Sequence, residues 1–286
     1  MIDLQITECP RDAMQGLHDF IPTEMKINYI NQLLKVGFDT IDFGSFVSPK
    51  AIPQMKDTAK VLRGLDLSVA KSRLLAIVAN ERGATDASFY DEIHFLGYPF
   101  SVSETFQKRN TNATIDQSLS RLEKIATICA NSYKELVVYI SMGFGNPYGD
   151  SWSPDVVAKW SERLNKELGI TNLALSDTIG VSTPETITSL FTTLIPELPQ
   201  VNFGAHLHST PSTVEDKVAA AYASGCRKFD GALKGYGGCP MAKDDLTGNM
   251  PTEKMLEWFK TNNVETGLNL EELEQSLLWT LKTFPV

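Results

Sequence analysis

Eight short β-rich runs alternate with longer helical segments along the chain, and no other feature limits the accessible folds as strongly. The runs cover residues 4–9, 40–44, 73–79, 92–96, 136–142, 172–176, 202–207 and 228–233. Between them lie 23–36, 48–63, 116–131, 153–168, 183–194 and 212–224, most with apolar residues at three- and four-residue spacing, the repeat of an amphipathic helix. Thr23, Ser48, Ser153, Thr183 and Ser212 stand where N-cap hydroxyls are expected. Such repetition predicts an α/β protein, a (β/α)8 barrel. The third unit is the least regular, because 80–88 is short and polar. After the eighth run, one of the segments 252–261 and 270–283 closes the barrel and the other is an extra C-terminal helix, an appendage. A doubly wound open sheet shares the alternation, but Pro10-Arg11-Asp12 stands where its G-x-G-x-x-G should follow the first strand.

The chain is expected to form one domain over residues 1–286, with 42% of them hydrophobic and core enough to fold without staples. A net charge of -9 favours neither a nucleic-acid backbone nor an anionic membrane surface as partner. Cys9, Cys129, Cys226 and Cys239 show no C-x-x-C spacing, and neither a signal peptide nor an apolar run of spanning length is evident. A reducing, cytoplasmic setting with free thiols is expected.

In such a barrel the chemistry collects at the carboxyl ends of the strands. Arg11 and Asp12 follow the first run, Asp42 lies on the second, Ser141 ends the fifth and Asp177 follows the sixth. The seventh ends in Gly-Ala-His206-Leu-His208-Ser. On an extended strand, residues two apart face the same side, so both imidazoles would enter one space. A lone His-x-His is as often an ordinary strand-end pair. Here Asp12, His206, His208 and Asn249 together supply two nitrogens and two oxygens, a set suited to an open-sided octahedral ion, Mg2+ or Mn2+ ahead of Zn2+. In the loop Lys234-Gly-Tyr-Gly-Gly-Cys-Pro-Met-Ala242, three glycines within four residues precede Cys239 and place that thiol on a lid, able to move one proton once water is excluded.

Several motifs, taken in order from about residue 4 to 270, resemble the 3-hydroxy-3-methylglutaryl-CoA lyase family. They are Pro10-Arg-Asp-Ala-Met-Gln15, Ser45-Phe-Val-Ser-Pro-Lys50, Pro53-Gln-Met55, Asp177-Thr-Ile-Gly-Val181, His206-x-His208, Gly237-Gly238-Cys239-Pro240 and Gly248-Asn249. Ser-Phe-Val-Ser-Pro-Lys and Gly-Gly-Cys-Pro are the specific signals; Arg-Asp with His-x-His alone would indicate only the wider group of barrel metallolyases. The resemblance implies cleavage of an acyl-CoA substrate, 3-hydroxy-3-methylglutaryl-CoA, to acetyl-CoA and acetoacetate. It assigns Asp12, His206, His208 and Asn249 to the metal, proton removal to Asp12 or His206 or a water between them, the enolate oxygen to Arg11 and the returning proton to Cys239. Gln15, Asp42, Ser45, Ser141, Asp177, Gly237 and Gly238 are then expected to bind substrate or orient the metal ligands. A homodimer is an open expectation, and Lys26, Lys50, Lys108, Arg109 and Lys234 are candidates for the CoA phosphates. This chain differs at Asp42, where the family has glutamate, at Ala13 for glycine, at Gly16-Leu-His18 for Asn-Glu-Lys, and at Ser209-Thr-Pro-Ser212 for Asp-Thr-Tyr-Gly. Those changes surround the metal ligands and point to altered substrate preference, such as another branched 3-hydroxyglutaryl-type ester. A barrel that binds metal or CoA without turnover is the alternative.

Overall fold

A computed structural model describes residues 4–68, 70–238 and 247–284. Its strands, in chain order, are β1 (Gln5–Glu8), β2 (Thr40–Ser45), β3 (Arg73–Ile77), β4 (Ile93–Ser101), β5 (Glu135–Ser141), β6 (Asn172–Ser176), β7 (Asn202–His206), β8 (His208–Ser209), β9 (Lys228–Gly231) and β10 (Gly248–Asn249). Strands β1 to β7 and β9 close in that order into an eight-stranded barrel. Each neighbour pairs in parallel, β1 closing on β9 with Thr7 opposite Asp230. Outside it, β8 and β10 form a small antiparallel ribbon.

The apolar runs are nearly continuous because both faces of the barrel wall are covered. Leu75, Ile77, Phe95, Val137, Tyr139 and Ala174 fill the inside. Their strand neighbours Leu74, Ala76, Leu96, Val138, Ile140, Leu173 and Leu175 point outward into the layer under the helices. Those helices are α1 (Pro10–Gln15), α2 (Thr23–Val36), α3 (Thr58–Arg63), α4 (Glu81–Ser88), α5 (Glu104–Thr111), α6 (Ile115–Asn131), α7 (Pro154–Leu168), α8 (Pro184–Glu197), α9 (Val214–Ala223), α10 (Thr252–Thr261) and α11 (Leu270–Thr283). Among the described residues, no helix is long and apolar enough to cross a membrane.

Ser153 and Thr183 cap α7 and α8 through the N–H groups of Val156 and Thr186, each cap being worth about 1 kcal/mol. Three other expected caps are corrected. Thr23 lies inside α2 and gives its hydroxyl to Asp57 at 2.8 Å. Residues 48–63 are not one helix: Pro53 has no N–H to continue the ladder, so a 3-10 turn (Pro53–Met55) precedes α3, and Ser48 caps only the local turn at Lys50. Ser212 falls in a turn after Pro211, and α9 begins at Val214. The polar stretch 80–88 is helix α4, begun by the Asn80 side chain accepting from Gly83 N at 3.0 Å. Strand β4 runs on to Ser101, and α1 and α5 arise where no helix was expected. Helix α11 is the extra C-terminal helix, and it packs on α2. Gln32 of α2 donates to Glu272, and Phe284 meets the Tyr29 ring edge-on at 5.7 Å.

Candidate active site

Pro10 opens α1 directly after β1 and so turns Arg11 and Asp12 into the mouth formed by the carboxyl ends of the strands. Arg11 is 6% exposed and grips the fully buried Asp42: Nε donates at 3.2 and 3.0 Å, and Nη2 at 2.5 Å. Its Nη1 donates to Asp12 Oδ1 at 2.7 Å. Asp12 Oδ1 also accepts from Gln15 Nε2 at 3.0 Å, and Oδ2 from Asn249 Nδ2 at 2.8 Å. Burial works to raise the Asp12 pKa, but Arg11, His206, His208 and the Asn249 amide outweigh it and hold Asp12 at about 2. Burial pushes Asp42 up to about 6, and Arg11 opposes the rise. Asp42 thus anchors the guanidinium; a buried ion pair of this kind costs about 3–5 kcal/mol to break from one side.

The two histidines do not share one strand. His206 ends β7 and His208 begins β8, with ring centroids still 5.8 Å apart. His206 Nδ1 meets Asp230 Oδ2 at 3.1 Å, and its ring packs edge-on against Tyr139 at 5.2 Å. Burial works to lower the His206 pKa, yet Asp230 and Asp12 leave it raised overall. His208 is driven down to about 4 by burial and by His206. One ligand atom each from Asp12, His206 and His208 lies within 4.8 Å of the others. His208 Nδ1 is buried with no hydrogen-bond partner among the described residues, a cost that a bound ion would remove. A carboxylate, two imidazoles and the oxygen of the Asn249 amide suit a divalent metal. Cys9, His206 and Asp230 form a second close group, in which Asp230 has the geometry of the carboxylate that orients a metal-binding histidine.

The remaining candidates take varied positions. Ser141 lines the cleft, whereas Ser45 is buried and its hydroxyl accepts from Val47 N at 3.1 Å, a turn contact. Asp177 caps the turn into α8, accepting from Val181 N, Ser182 N and Ser182 Oγ, and is also bound by Lys217. Gly237 has φ +87, and a Cβ there would stand 2.7 Å from both Asn249 Nδ2 and the Asp12 carbonyl oxygen. Gly238 has φ +126 and lines the cleft, so both glycines let the backbone close over the ligand cluster. Cys239 lies outside the described residues. Lys26 is withdrawn as a phosphate contact: it is 2% exposed, pairs with Asp57 at 2.8 Å and donates to the Gln54 carbonyl.

A cleft of about 340 Å³ opens over the cluster, with Arg11, Asp12, His206 and His208 at its floor and Val47, Ile52, Ile77, Pro99, Phe106 and Tyr139 on its walls. Asn110, Ser141 and Thr178 add polar groups. Sequence reasoning missed Asp230, Tyr139 and Lys217. Asp230 carried a signal, since it sits on the eighth run, where a polar residue at a strand end reads as functional. Tyr139 and Lys217 carried none, being an aromatic in a strand and a lysine in a helix.

A family model described as HMGL-like matches residues 4–277. A Bacillus subtilis hydroxymethylglutaryl-CoA lyase is 32% identical over 273 residues, which is 94% of this chain and 89% of the relative. The crystal structure of the HMG-CoA lyase from Brucella melitensis superposes with a TM-score of 0.90 at 32% identity, covering 98% of each chain. An Acinetobacter baumannii HMG-CoA lyase in complex with coenzyme A and 3-methylmalate superposes with a TM-score of 0.87 at 31% identity, covering 97% of this chain and 90% of that one. With its barrel closed in the same way and the matched residues spanning nearly all of it, the chain belongs to the HMGL-like family.

Proposed function

We propose that this protein is a divalent-metal-dependent carbon–carbon lyase that cleaves 3-hydroxy-3-methylglutaryl-CoA to acetyl-CoA and acetoacetate. One observation carries the reading: Asp12, His206 and His208 converge within 4.8 Å, at the floor of a cleft that also holds the buried Arg11 guanidinium. The coenzyme A bound by the Acinetobacter relative supports an acyl-CoA substrate.

Asp12, His206, His208 and Asn249 would hold the ion, Mg2+ or Mn2+ by their donor set, and such an ion supplies Lewis acidity toward the substrate's hydroxyl and carboxylate oxygens. The chain's own groups do the rest. The proton of the 3-hydroxyl passes to Asp12, to His206 or to a water between them, and Asp230 backs the His206 ring. The hydroxyl oxygen becomes the ketone as the C2–C3 bond breaks, and the electron pair passes to the thioester enolate. Arg11 has five N–H groups, of which Asp42 and Asp12 engage three, so two remain to meet the charge growing on the enolate oxygen. Asp42 and Asp12 hold that guanidinium still, so little reorganisation is needed as the charge develops. Cys239, which follows Gly238, returns a proton to the enolate carbon. Cys9, Cys129 and Cys226 are free and buried, which supports a reducing compartment, and we place the protein in the cytoplasm.

The test follows acetoacetate released from the CoA ester by metal-stripped protein before and after Mg2+ or Mn2+ is restored, with Arg11→Gln in parallel. Cleavage is expected only with metal, and the variant is expected to lose on the order of 10²–10³ in kcat. No cleavage by protein shown to bind the ion, or an Arg11→Gln variant as fast as wild type, would sink the reading.

A further inference from the structure

Two of the four candidate ligands, His208 and Asn249, face each other across the ribbon of β8 and β10. Each strand of that ribbon has two residues, and it lies outside the closed barrel. So short a pair has no stability of its own, and its position must come from ties to its surroundings. On the β10 side, Asn249 Nδ2 donates to Asp12 Oδ2 and to the Tyr236 carbonyl, both at 2.8 Å, and the neighbouring Met250 carbonyl accepts from Ala232 N at 2.9 Å. On the β8 side, besides the chain's own connection through Leu207 to β7, a tie comes from a helix. Lys217 of α9 sends its Nζ to the His208 carbonyl at 2.7 Å and to Asp177 Oδ2 at 2.9 Å.

Both partners in that ion pair are sequestered, with side chains 3% and 0% exposed. A buried ammonium is costly unless it is paired and hydrogen-bonded, and replacing the whole pair by apolar residues of similar volume is often as stable. Asp177 already accepts from Val181 N, Ser182 N and Ser182 Oγ, so the turn into α8 has three donors without the lysine. Lys217 adds a rigid link between Asp177 at the end of β6 and the main chain of a metal ligand. We infer that Lys217 is a positioning residue: by pinning the His208 carbonyl it fixes the ribbon, and with it the approach of both His208 and Asn249 to the ion. The inference rests on the metal reading above.

The test measures Mn2+ affinity from the electron paramagnetic resonance signal of free Mn2+, with the thermal midpoint of the metal-free protein as a check on folding. Wild type is compared with Lys217→Met and with the double variant Asp177→Asn/Lys217→Met, which leaves no unpaired buried carboxylate. Lys217→Met is expected to bind Mn2+ about 10–100-fold more weakly, the usual effect of losing a group that orients a ligand. The double variant is expected to recover the thermal midpoint and to stay weak for Mn2+. If Lys217→Met does not fold, the double variant decides alone. Wild-type affinity in Lys217→Met, or affinity regained in the double variant, would overturn the inference, because the lysine would then be only a counter-ion. Wild-type protein that binds no Mn2+ would overturn the metal reading and this inference together.

Discussion

Replacing Glu8 by glutamine isolates a charge that the fold forces into its core. Glu8 ends β1 with 0% exposure; its Oε1 accepts from Leu233 N at 2.8 Å and its Oε2 from Thr252 Oγ1 at 2.6 Å. Burial, with a smaller contribution from Glu253, raises its pKa from the ordinary 4.5 to about 8, against the two hydrogen bonds. The raised pKa fixes the sign. Below pH 4.5 folded and unfolded chains both carry the proton, and Glu8 contributes its full stability. Between 4.5 and about 8 the unfolded chain loses the proton while the folded one keeps it, so stability falls by about 1.4 kcal/mol per pH unit. Across the whole interval the loss is roughly 5 kcal/mol, and it levels off above pH 8. Glutamine keeps the carbonyl for Leu233 and offers an N–H to Thr252, without the ionisation. Urea unfolding of wild type and Glu8→Gln from pH 5 to 8.5 is expected to give midpoints that nearly coincide at pH 5 and then separate steadily in favour of the variant. Parallel curves at all pH values would show that Glu8 ionises freely and that burial does not govern it.

Asp230→Asn keeps a hydrogen-bond partner for His206 but removes the charge that supports its basicity. The variant is expected to lose about 10–100-fold in Mn2+ affinity, read by the same resonance titration, with its thermal midpoint nearly unchanged. Gly237→Ala places a Cβ 2.7 Å from Asn249 Nδ2 and the Asp12 carbonyl oxygen at a left-handed φ of +87. It is expected to lower kcat at least tenfold on the CoA ester while the far-ultraviolet circular dichroism stays that of wild type; an active variant would show that this backbone segment does not hold the ligands.

Much of the architecture was legible from local pattern. Strand runs such as Val137–Ile140 are apolar on both faces, which only a covered parallel sheet requires, and the helical repeats between them set the order around the barrel. Arg11, Asp12 and the His206-x-His208 pair could be read because short sequence distances place them at strand ends. The missed helices α1 and α5 are short and weakly patterned, so capping and tertiary contact decide them rather than periodicity. Pro53 is the local reason that 48–63 is not one helix begun at Ser48.

What joins the site together is of another kind. Asp42 reaches Arg11 over 31 residues, Asn249 reaches Asp12 over 237, and Glu8 reaches Thr252 over 244. The sequence by itself determined the alternation of strands and helices, the residue types able to hold a metal and a proton, and the glycines that allow a close backbone turn. Only the tertiary structure decided that Asp230 backs His206, that Lys217 holds His208 and that Lys26 is buried away from any CoA phosphate. Periodicity is a property of neighbours a few residues apart, whereas a charge finds its partner only after the barrel has closed and removed the water that would otherwise solvate it.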